Sequence, residues 1–182
     1  MKDSNHRQKY EYIPAKVVSN STNRRNNYLT LDKGSLNGIK RDMAVISGNG
    51  VVGVIVSVSS NFCSVMSLLH KDSKISARIK KEGSFGPLSW EGDDYRYGTL
   101  TDIPNHVALK TGDTIVTSSY GSVYPENILI GTIENFQIKS GEPFFTIRVK
   151  LSTPFKKLSY VYIVDNLMKA EQDSLENASQ KD

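Results

Sequence analysis

The residue types that a serine hydrolase needs are present, but their order along the chain matches no hydrolase motif. Attack by a serine requires a histidine that accepts its proton, a carboxylate that orients the histidine, and an oxyanion hole. The candidates by residue type are Ser118, Ser119 or Ser122 with His70 and Asp72, Asp93 or Asp94. Because Tyr124 stands where a Gly-x-Ser-x-Gly elbow around Ser122 needs glycine, the simpler interpretation is turn serines beside solvated loop histidines.

Histidine and cysteine are too sparse to predict a metal site. His6, His70 and His106 are the three histidines, and none has a second histidine three to five residues away, as zinc motifs usually require. Cys63 is the single cysteine, so neither an internal disulfide nor a cysteine-based zinc site can form. It lies in an apolar run, where a buried and unreactive thiol is expected. We therefore predict no metal and no cofactor.

Phosphate and nucleic-acid chemistry are also poorly supported. Gly48-Asn49-Gly50 opens a strand, not a helix, so it offers no helix N-terminus to a pyrophosphate, and Asn-Gly is a strong hairpin signal. The net charge of +4 arises from 23 basic and 19 acidic residues that are spread along the chain. The tyrosine pairs at 10/12 and 95/97 could stack on bases, as in single-strand binders, although such pairs more often pack across strands.

The elements that would position these residues are strands from end to end. Short runs rich in Val, Ile, Thr and Tyr alternate with Gly, Pro, Asn and Asp, at spacings of about ten residues, which indicates barrels or sandwiches. The runs are 28–32, 43–47, 51–58, 64–69, 76–79, 97–100, 114–117, 128–133, 145–150 and 160–164. We predict an all-β protein with roughly eleven or twelve strands. No stretch approaches the ~18 apolar residues of a membrane helix.

Two segments resemble each other weakly. Residues 38–56 and 110–133 both read as a turn with Asp, a β run, a loop, and a strand opened by glycine, namely Gly53 and Gly131. The pattern suits two barrels of related build, and a chance match of hairpins is the alternative.

An ordered set of these turns resembles the extracytoplasmic β domain of the rod-shape-determining protein MreC family. The resemblance begins at 27–39 and continues through 43–46, 50–55, 112–118, Tyr124-Pro125 and Ile130-Gly131. Ser119 and Asn127 stand where the family usually has glycine. Asn tolerates the left-handed conformation, so we expect the second turn to survive. The family-motif positions expected to be structural are Gly34, Gly38, Gly53, Gly112, Asp113, Thr117, Ser118 and Gly131.

The resemblance implies two small β-barrels arranged like a chymotrypsin-type protease without the catalytic triad. We expect a first barrel built from 13–47 and 107–165, with the second barrel, 48–106, inserted into it. Residues 1–12 would be a tail or the end of an upstream coiled coil. Residues 166–182 have helix-favouring composition but no apolar stripe, so we expect a disordered polar tail.

The resemblance also implies function. It predicts a non-enzymatic scaffold of the cell-elongation machinery, which maintains rod shape by organising cell-wall synthesis proteins. The implied partners are the elongation penicillin-binding protein, MreD and MreB, with self-association through an upstream coiled coil. A single upstream membrane helix would place this region in the periplasm or extracytoplasmic space. A barrel-type nucleic-acid binder and a hydrolase with an unusual active site remain the alternatives.

One loop has the composition of an interaction surface. Small residues between 118 and 125 keep the backbone adaptable, and rigid tyrosines provide contact area at low entropic cost. The candidate protein-binding residues are Tyr120, Val123, Tyr124 and Pro125. The alternative is that Tyr120 and Tyr124 fold over the barrel end and close its core.

Overall fold

The computed structural model describes residues 9–121 and 123–180, and these form twelve strands and one α-helix. The strands are β1 (Tyr10–Asn20), β2 (Asn26–Leu31), β3 (Ala44–Ser47), β4 (Gly50–Val58), β5 (Cys63–His70), β6 (Lys74–Ile79), β7 (Phe85–Ser89), β8 (Tyr97–Pro104), β9 (Thr114–Thr117), β10 (Leu129–Ile138), β11 (Phe144–Leu151) and β12 (Tyr160–Asn166). Short 3-10 helices lie at Ser35–Asn37 and Phe155–Lys157, and α1 spans Lys169–Ser179. The prediction of an all-β fold is confirmed.

The strands close into two antiparallel barrels of six strands each. The first barrel has the order β1-β12-β3-β4-β5-β2, and the second has β10-β11-β8-β7-β6-β9. The two rings share one connectivity, because β12-β1-β2-β5-β4-β3 in the first corresponds to β6-β7-β8-β11-β10-β9 in the second. The last strand of the chain therefore occupies, in the first barrel, the place that β6 occupies in the second.

The two similar segments form the same hairpin in the two barrels. The backbone N–H of Ile55 donates to Met43, and that of Ile133 donates to Asp113, both at 2.9 Å. The glycine two residues earlier crosses the neighbouring strand closely in each case, since a Cβ on Gly53 would lie 2.2 Å from the Met66 carbonyl oxygen. The corresponding distance at Gly131 is 2.0 Å, to the carbonyl oxygen of Lys150. Both positions thus admit no side chain.

The division between the barrels differs from the expected one. Residues 48–70 complete the first barrel, the second is the continuous segment 74–151, and only β12 returns to the first. The expected boundary at residue 48 would have cut the hairpin in which Ser47 of β3 pairs with Gly50 of β4. A turn this short keeps the two strands adjacent in one sheet.

Both chain ends also differ from expectation. Tyr10–Tyr12 pair with β12, so this part of the expected N-terminal tail is strand, while residues 1–8 lie outside the described residues. The expected disordered tail contains α1, which no buried side chain anchors. Its support is local: Lys169 lies 3.3 Å from Asp173, and Gln172 donates to Glu176 at 2.8 Å. No helix among the described residues has the length and apolar character to cross a membrane.

The barrels are joined by a specific seam. Ala44, Ile46, Val51 and Val164 of the first barrel share a core cluster with the interior of the second. Three hydroxyls from the second-barrel side donate to alternate carbonyls in the turn before β4 and in its first residues. They are Ser152 to Asn49 at 2.7 Å, Thr153 to Val51 at 2.7 Å, and Tyr124 to Gly53 at 2.8 Å. Because carbonyls at alternate residues project from the same edge of a strand, these bonds fix one edge of β4 against the second barrel.

Candidate protein-binding surface

The loop between β9 and β10 is held at its base by Thr117. This side chain is fully buried, donates its hydroxyl hydrogen to the Pro125 carbonyl at 2.7 Å, and accepts the Ile128 N–H at 2.9 Å. Ser118 is also buried, and its hydroxyl accepts the Tyr120 N–H at 3.1 Å. Asn127 closes the loop with a φ of 67°, the left-handed conformation that a glycine would adopt easily. Thr117 and Ser118 therefore shape the loop and do not face a partner.

Tyr124 and Pro125 are not on the surface that the sequence led us to expect. Tyr124 is 4% exposed and donates its hydroxyl to Gly53 across the barrel seam. Its burial raises the pKa of the phenol well above the usual range. Pro125 is buried too, and Val123 is half-buried against the core. Tyr124 therefore closes the core, as the alternative interpretation of this loop predicted, because burying its ring in the seam is more favourable in free energy than exposing it to water.

Among the four candidate residues, Tyr120 is the one that projects into solvent. Its side chain is 71% exposed, and its ring centroid lies 5.1 Å from that of Phe85 at an angle of 35°. Phe85 is itself 47% exposed. The two neighbouring exposed rings form a small apolar patch, and aromatic residues in such patches are typical of protein-binding sites.

Phe85 begins a row of side chains that crosses four strands of the second barrel. It pairs with Arg78, Arg78 pairs with Val116, and Val116 pairs with Leu129. Directly opposed residues share one face of a sheet, so the four lie side by side on the outer wall, where Val116 itself is buried. Leu129 is 38% exposed. We call Tyr120, Phe85, Arg78 and Leu129 the apolar ridge.

Arg78 gives the apolar ridge its charge. Its guanidinium contacts the Asn127 amide oxygen and lies 3.8 Å from the Glu126 carboxylate. The Nε of Arg78 is buried and has no hydrogen-bond partner among the described residues. Beside the ridge lies a groove of about 240 Å³, lined by Lys74, Ile75, Ser76, Phe85, Gly86 and Pro87. Aromatic rings, an arginine and an adjoining groove are the components of a protein-binding hot spot.

The sequence analysis missed Phe85, Arg78 and Leu129. The alternation in β7 contained a signal for Phe85, because Gly86 and Leu88 face inward and Phe85 must then face outward. Arg78 and Leu129 could not be found in this way, since their proximity depends on the register of β6, β9 and β10.

The other family-motif positions lie at turns. A Cβ on Gly34 would meet the Ser59 carbonyl oxygen at 2.3 Å, while Gly38 and Gly112 adopt φ values of 79° and 91°. The Asp113 carboxylate accepts from the Lys110 N–H at 2.8 Å and from the Lys81 ammonium at 2.7 Å. The hydrogen bond from Lys81 lowers the pKa of Asp113.

The histidine considered for hydrolysis, His70, is engaged elsewhere. His70 is buried; its Nε2 lies 3.0 Å from the Tyr28 hydroxyl, and its Nδ1 accepts the Asp72 N–H at 3.0 Å. Burial lowers the pKa of this imidazole. Cys63 is buried, and burial raises the pKa of its thiol to about 11. Ser122 lies outside the described residues, and the described residues contain no cluster of three possible metal ligands.

Comparisons with known proteins agree with this architecture. The model of the family "Rod shape-determining protein MreC, barrel core" matches residues 17–165. The cell shape-determining protein MreC of Listeria monocytogenes is 33% identical over 131 residues, which cover 70% of this chain and 44% of that protein. The chain thus spans about half the length of the curated relatives it matches.

Solved structures show the same two barrels. An MreC structure from Listeria monocytogenes superposes with a TM-score of 0.79 at 29% identity, covering 86% of this chain and 76% of that one. A complex between penicillin-binding protein PBP2 and MreC from Helicobacter pylori contains a chain that superposes with a TM-score of 0.68. That chain is 15% identical, and the match covers 87% of this chain and 99% of that one, so this likeness concerns the fold alone.

Proposed function

Because this chain belongs to the rod shape-determining protein MreC family, we propose that it is a non-enzymatic scaffold that binds an elongation penicillin-binding protein through its apolar ridge. In this role it organises cell-wall synthesis proteins in the extracytoplasmic space and so maintains rod shape. A membrane helix and coiled coil upstream of this region would anchor and dimerise it. MreD and MreB are its further proposed partners at the inner membrane.

The observation that carries the proposal is the exposed pair of Tyr120 and Phe85 on a rigid wall. The wall is preorganised, since Thr117 fixes the loop and the strand register fixes Phe85, Arg78 and Leu129. Binding to a preorganised surface costs little conformational entropy. The Helicobacter pylori complex supports the choice of partner, because a protein of the same fold binds a penicillin-binding protein there.

The chemistry of the described residues favours a scaffold over a hydrolase. Ser118 is bonded to the backbone of its own loop, and the two ring nitrogens of His70 contact Tyr28 and Asp72. A serine nucleophile needs a base within hydrogen-bond reach. None of these hydrogen bonds joins the Ser118 hydroxyl to the His70 imidazole.

A titration tests the proposal. The soluble domain of an elongation penicillin-binding protein is titrated calorimetrically into the wild-type chain, Tyr120→Ala and Tyr160→Ala. Tyr160 is 69% exposed on the first barrel and serves as a matched control. Loss of a hot-spot tyrosine should weaken binding by about thirtyfold, while the control should bind like the wild type.

Thermal melting of both variants checks that each is folded, which we expect because both side chains are mostly exposed. Equal affinities for Tyr120→Ala and the wild type would show that the apolar ridge is not part of the binding site.

A further inference from the structure

We propose that the second barrel and the 3-10 helix that follows it carry a separate site for anionic phospholipid headgroups, formed by Arg148, Lys150, Lys156 and Lys157 with Tyr95 and Tyr97. We call these six residues the cationic face. The inference rests on the proposed extracytoplasmic location next to a membrane. It does not depend on the binding of a penicillin-binding protein.

The register of β8 and β11 brings three of these side chains together, namely Arg148, Lys150 and Tyr97. Lys150 of β11 pairs with Tyr97 of β8, and Arg148 pairs with Thr99. The residues between them, Val149 and Gly98, are buried, so Arg148, Lys150 and Tyr97 all project from the outer wall. Lys156 and Lys157 follow β11 in the short 3-10 helix and are exposed.

Tyrosine rings hold two of the cations in place. The guanidinium carbon of Arg148 lies 4.1 Å from the Tyr97 ring centroid, and the Lys156 ammonium lies 4.3 Å from that of Tyr95. The guanidinium carbon of Arg96 also lies near the Tyr97 ring, 5.4 Å from its centroid. These cation–π contacts restrict the side chains without cancelling their charge.

The cations of the face form no ion pairs among the described residues, and Asp94 is an acid whose charge reaches them, since Arg148, in addition to Arg96, contributes to lowering its pKa. Arg96 is paired with Asp94 at 2.7 Å, and the hydrogen bond from Arg96 lowers the pKa of that carboxyl to about 2. Among the described ion pairs none involves Arg148, Lys150, Lys156 or Lys157. The remaining acids close to Asp94 along the chain, Glu91 and Asp93, are exposed in the loop before it.

The shape of the face suits a bilayer better than a small anion. Two grooves, of about 450 and 240 Å³, are lined by other parts of the second barrel, including Lys81 with Asp113 and Phe85 with Pro87. The cationic face instead combines the outer wall of β8 and β11 with the loop before β8 and the exposed 3-10 helix after β11. Lysine and arginine are attracted to anionic headgroups, and tyrosine is enriched at membrane interfaces. Each cation is expected to raise the affinity for an anionic surface by roughly fivefold.

The position of the face allows it to act together with the apolar ridge. In the strand order β10-β11-β8-β7-β6-β9, the pair β11-β8 lies across the ring from the pair β6-β9. Arg78 of the ridge belongs to β6, and its pairing partner Val116 belongs to β9. Phe85 and Leu129 of the ridge lie on the flanking strands β7 and β10. A barrel resting on a membrane through one wall would therefore present the other wall to a protein partner.

Sedimentation with vesicles tests the inference. Vesicles of phosphatidylcholine with a third of phosphatidylglycerol are compared with pure phosphatidylcholine, using the wild-type chain and the triple variant Arg148→Gln, Lys150→Gln, Lys156→Gln. The control variant, Lys16→Gln, Lys40→Gln, Arg41→Gln, removes three exposed cations from the first barrel. We expect salt-sensitive binding to the anionic vesicles alone, an affinity about 100-fold lower for the triple variant, and a change of less than a few-fold for the control.

Three outcomes would overturn the proposal. Wild-type protein that fails to bind anionic vesicles would exclude the site, and equal losses in both triple variants would show a non-specific effect of net charge. Displacement by millimolar glycerol 3-phosphate would indicate a site for a free phosphate. Since Arg148→Gln removes a contact with Tyr97, the double variant Lys150→Gln, Lys157→Gln is included, and it should show a loss of about 25-fold without a change in melting temperature.

Discussion

Replacement of Gly131 by alanine tests how closely the strands of the second barrel are packed. A Cβ at this position would lie 2.0 Å from the Lys150 carbonyl oxygen, 2.8 Å from its carbonyl carbon and 3.0 Å from Cγ1 of Val149. Ordinary contacts between such atoms are about 3.5 Å, so β10 and β11 must separate to admit the methyl group. Two of the three obstructing atoms are backbone, which cannot adopt another rotamer.

The expected cost follows from this geometry. Overpacking that forces a backbone shift destabilises a protein by about 1–3 kcal/mol. For a chain of this size, each kcal/mol lowers the melting temperature by about 2–4 °C, so Gly131→Ala should melt about 2–12 °C below the wild type. The assay is thermal unfolding followed by circular dichroism.

Gly48→Ala is the matched control for this experiment. A Cβ on Gly48 would meet no atom within 4 Å, and the residue does not adopt a positive φ. Its melting temperature should stay close to that of the wild type. If Gly131→Ala had the same melting temperature as Gly48→Ala, the close crossing of β10 and β11 would be refuted.

The remaining predictions concern the seam and the acid response. Tyr124→Phe leaves the Gly53 carbonyl without its 2.8 Å donor, which should cost about 1–3 kcal/mol; denaturant unfolding measures this, and an unchanged midpoint would show that water replaces the hydroxyl. The pKa of His70 is lower in the folded chain than in the unfolded chain, so the unfolded chain binds a proton more readily. The free energy of unfolding therefore falls as the pH drops from about 6.5, the pKa of a free histidine, to the folded-state pKa. The melting temperature should therefore fall more steeply below pH 6.5 in the wild type than in His70→Gln, and parallel curves would contradict this assignment.

Much of the fold could be predicted from the sequence because the signals for strands are local. The β-branched runs, the Asn49-Gly50 turn and the alternation in β11 each indicate a strand or hairpin without knowledge of the rest of the chain. The boundary between the barrels was not accessible in this way. It depends on which distant strand closes each ring, and β12 completes the first barrel about 90 residues after β5.

The candidate binding surface, too, could be predicted only in part from the sequence. The composition of the 118–125 loop indicated tyrosines for binding, but composition cannot distinguish a ring that faces solvent from one that fills a seam. Tyr120 faces solvent, and Tyr124, four residues later, donates to Gly53 in the other barrel. The partners of Tyr120 in the apolar ridge come from β6, β7 and β10, so they appear only once the strand register is known.

The most direct test of the central claim is site-specific photo-crosslinking in growing cells. A photoreactive phenylalanine analogue replaces Tyr120 in the full-length protein, and Tyr162, which is 45% exposed on the first barrel, is replaced in a parallel strain. Adducts are identified by mass spectrometry after irradiation. We predict an adduct with a penicillin-binding protein from position 120 and none from position 162. An adduct from position 162 alone, or only copies of this protein joined at position 120, would contradict the proposed binding surface.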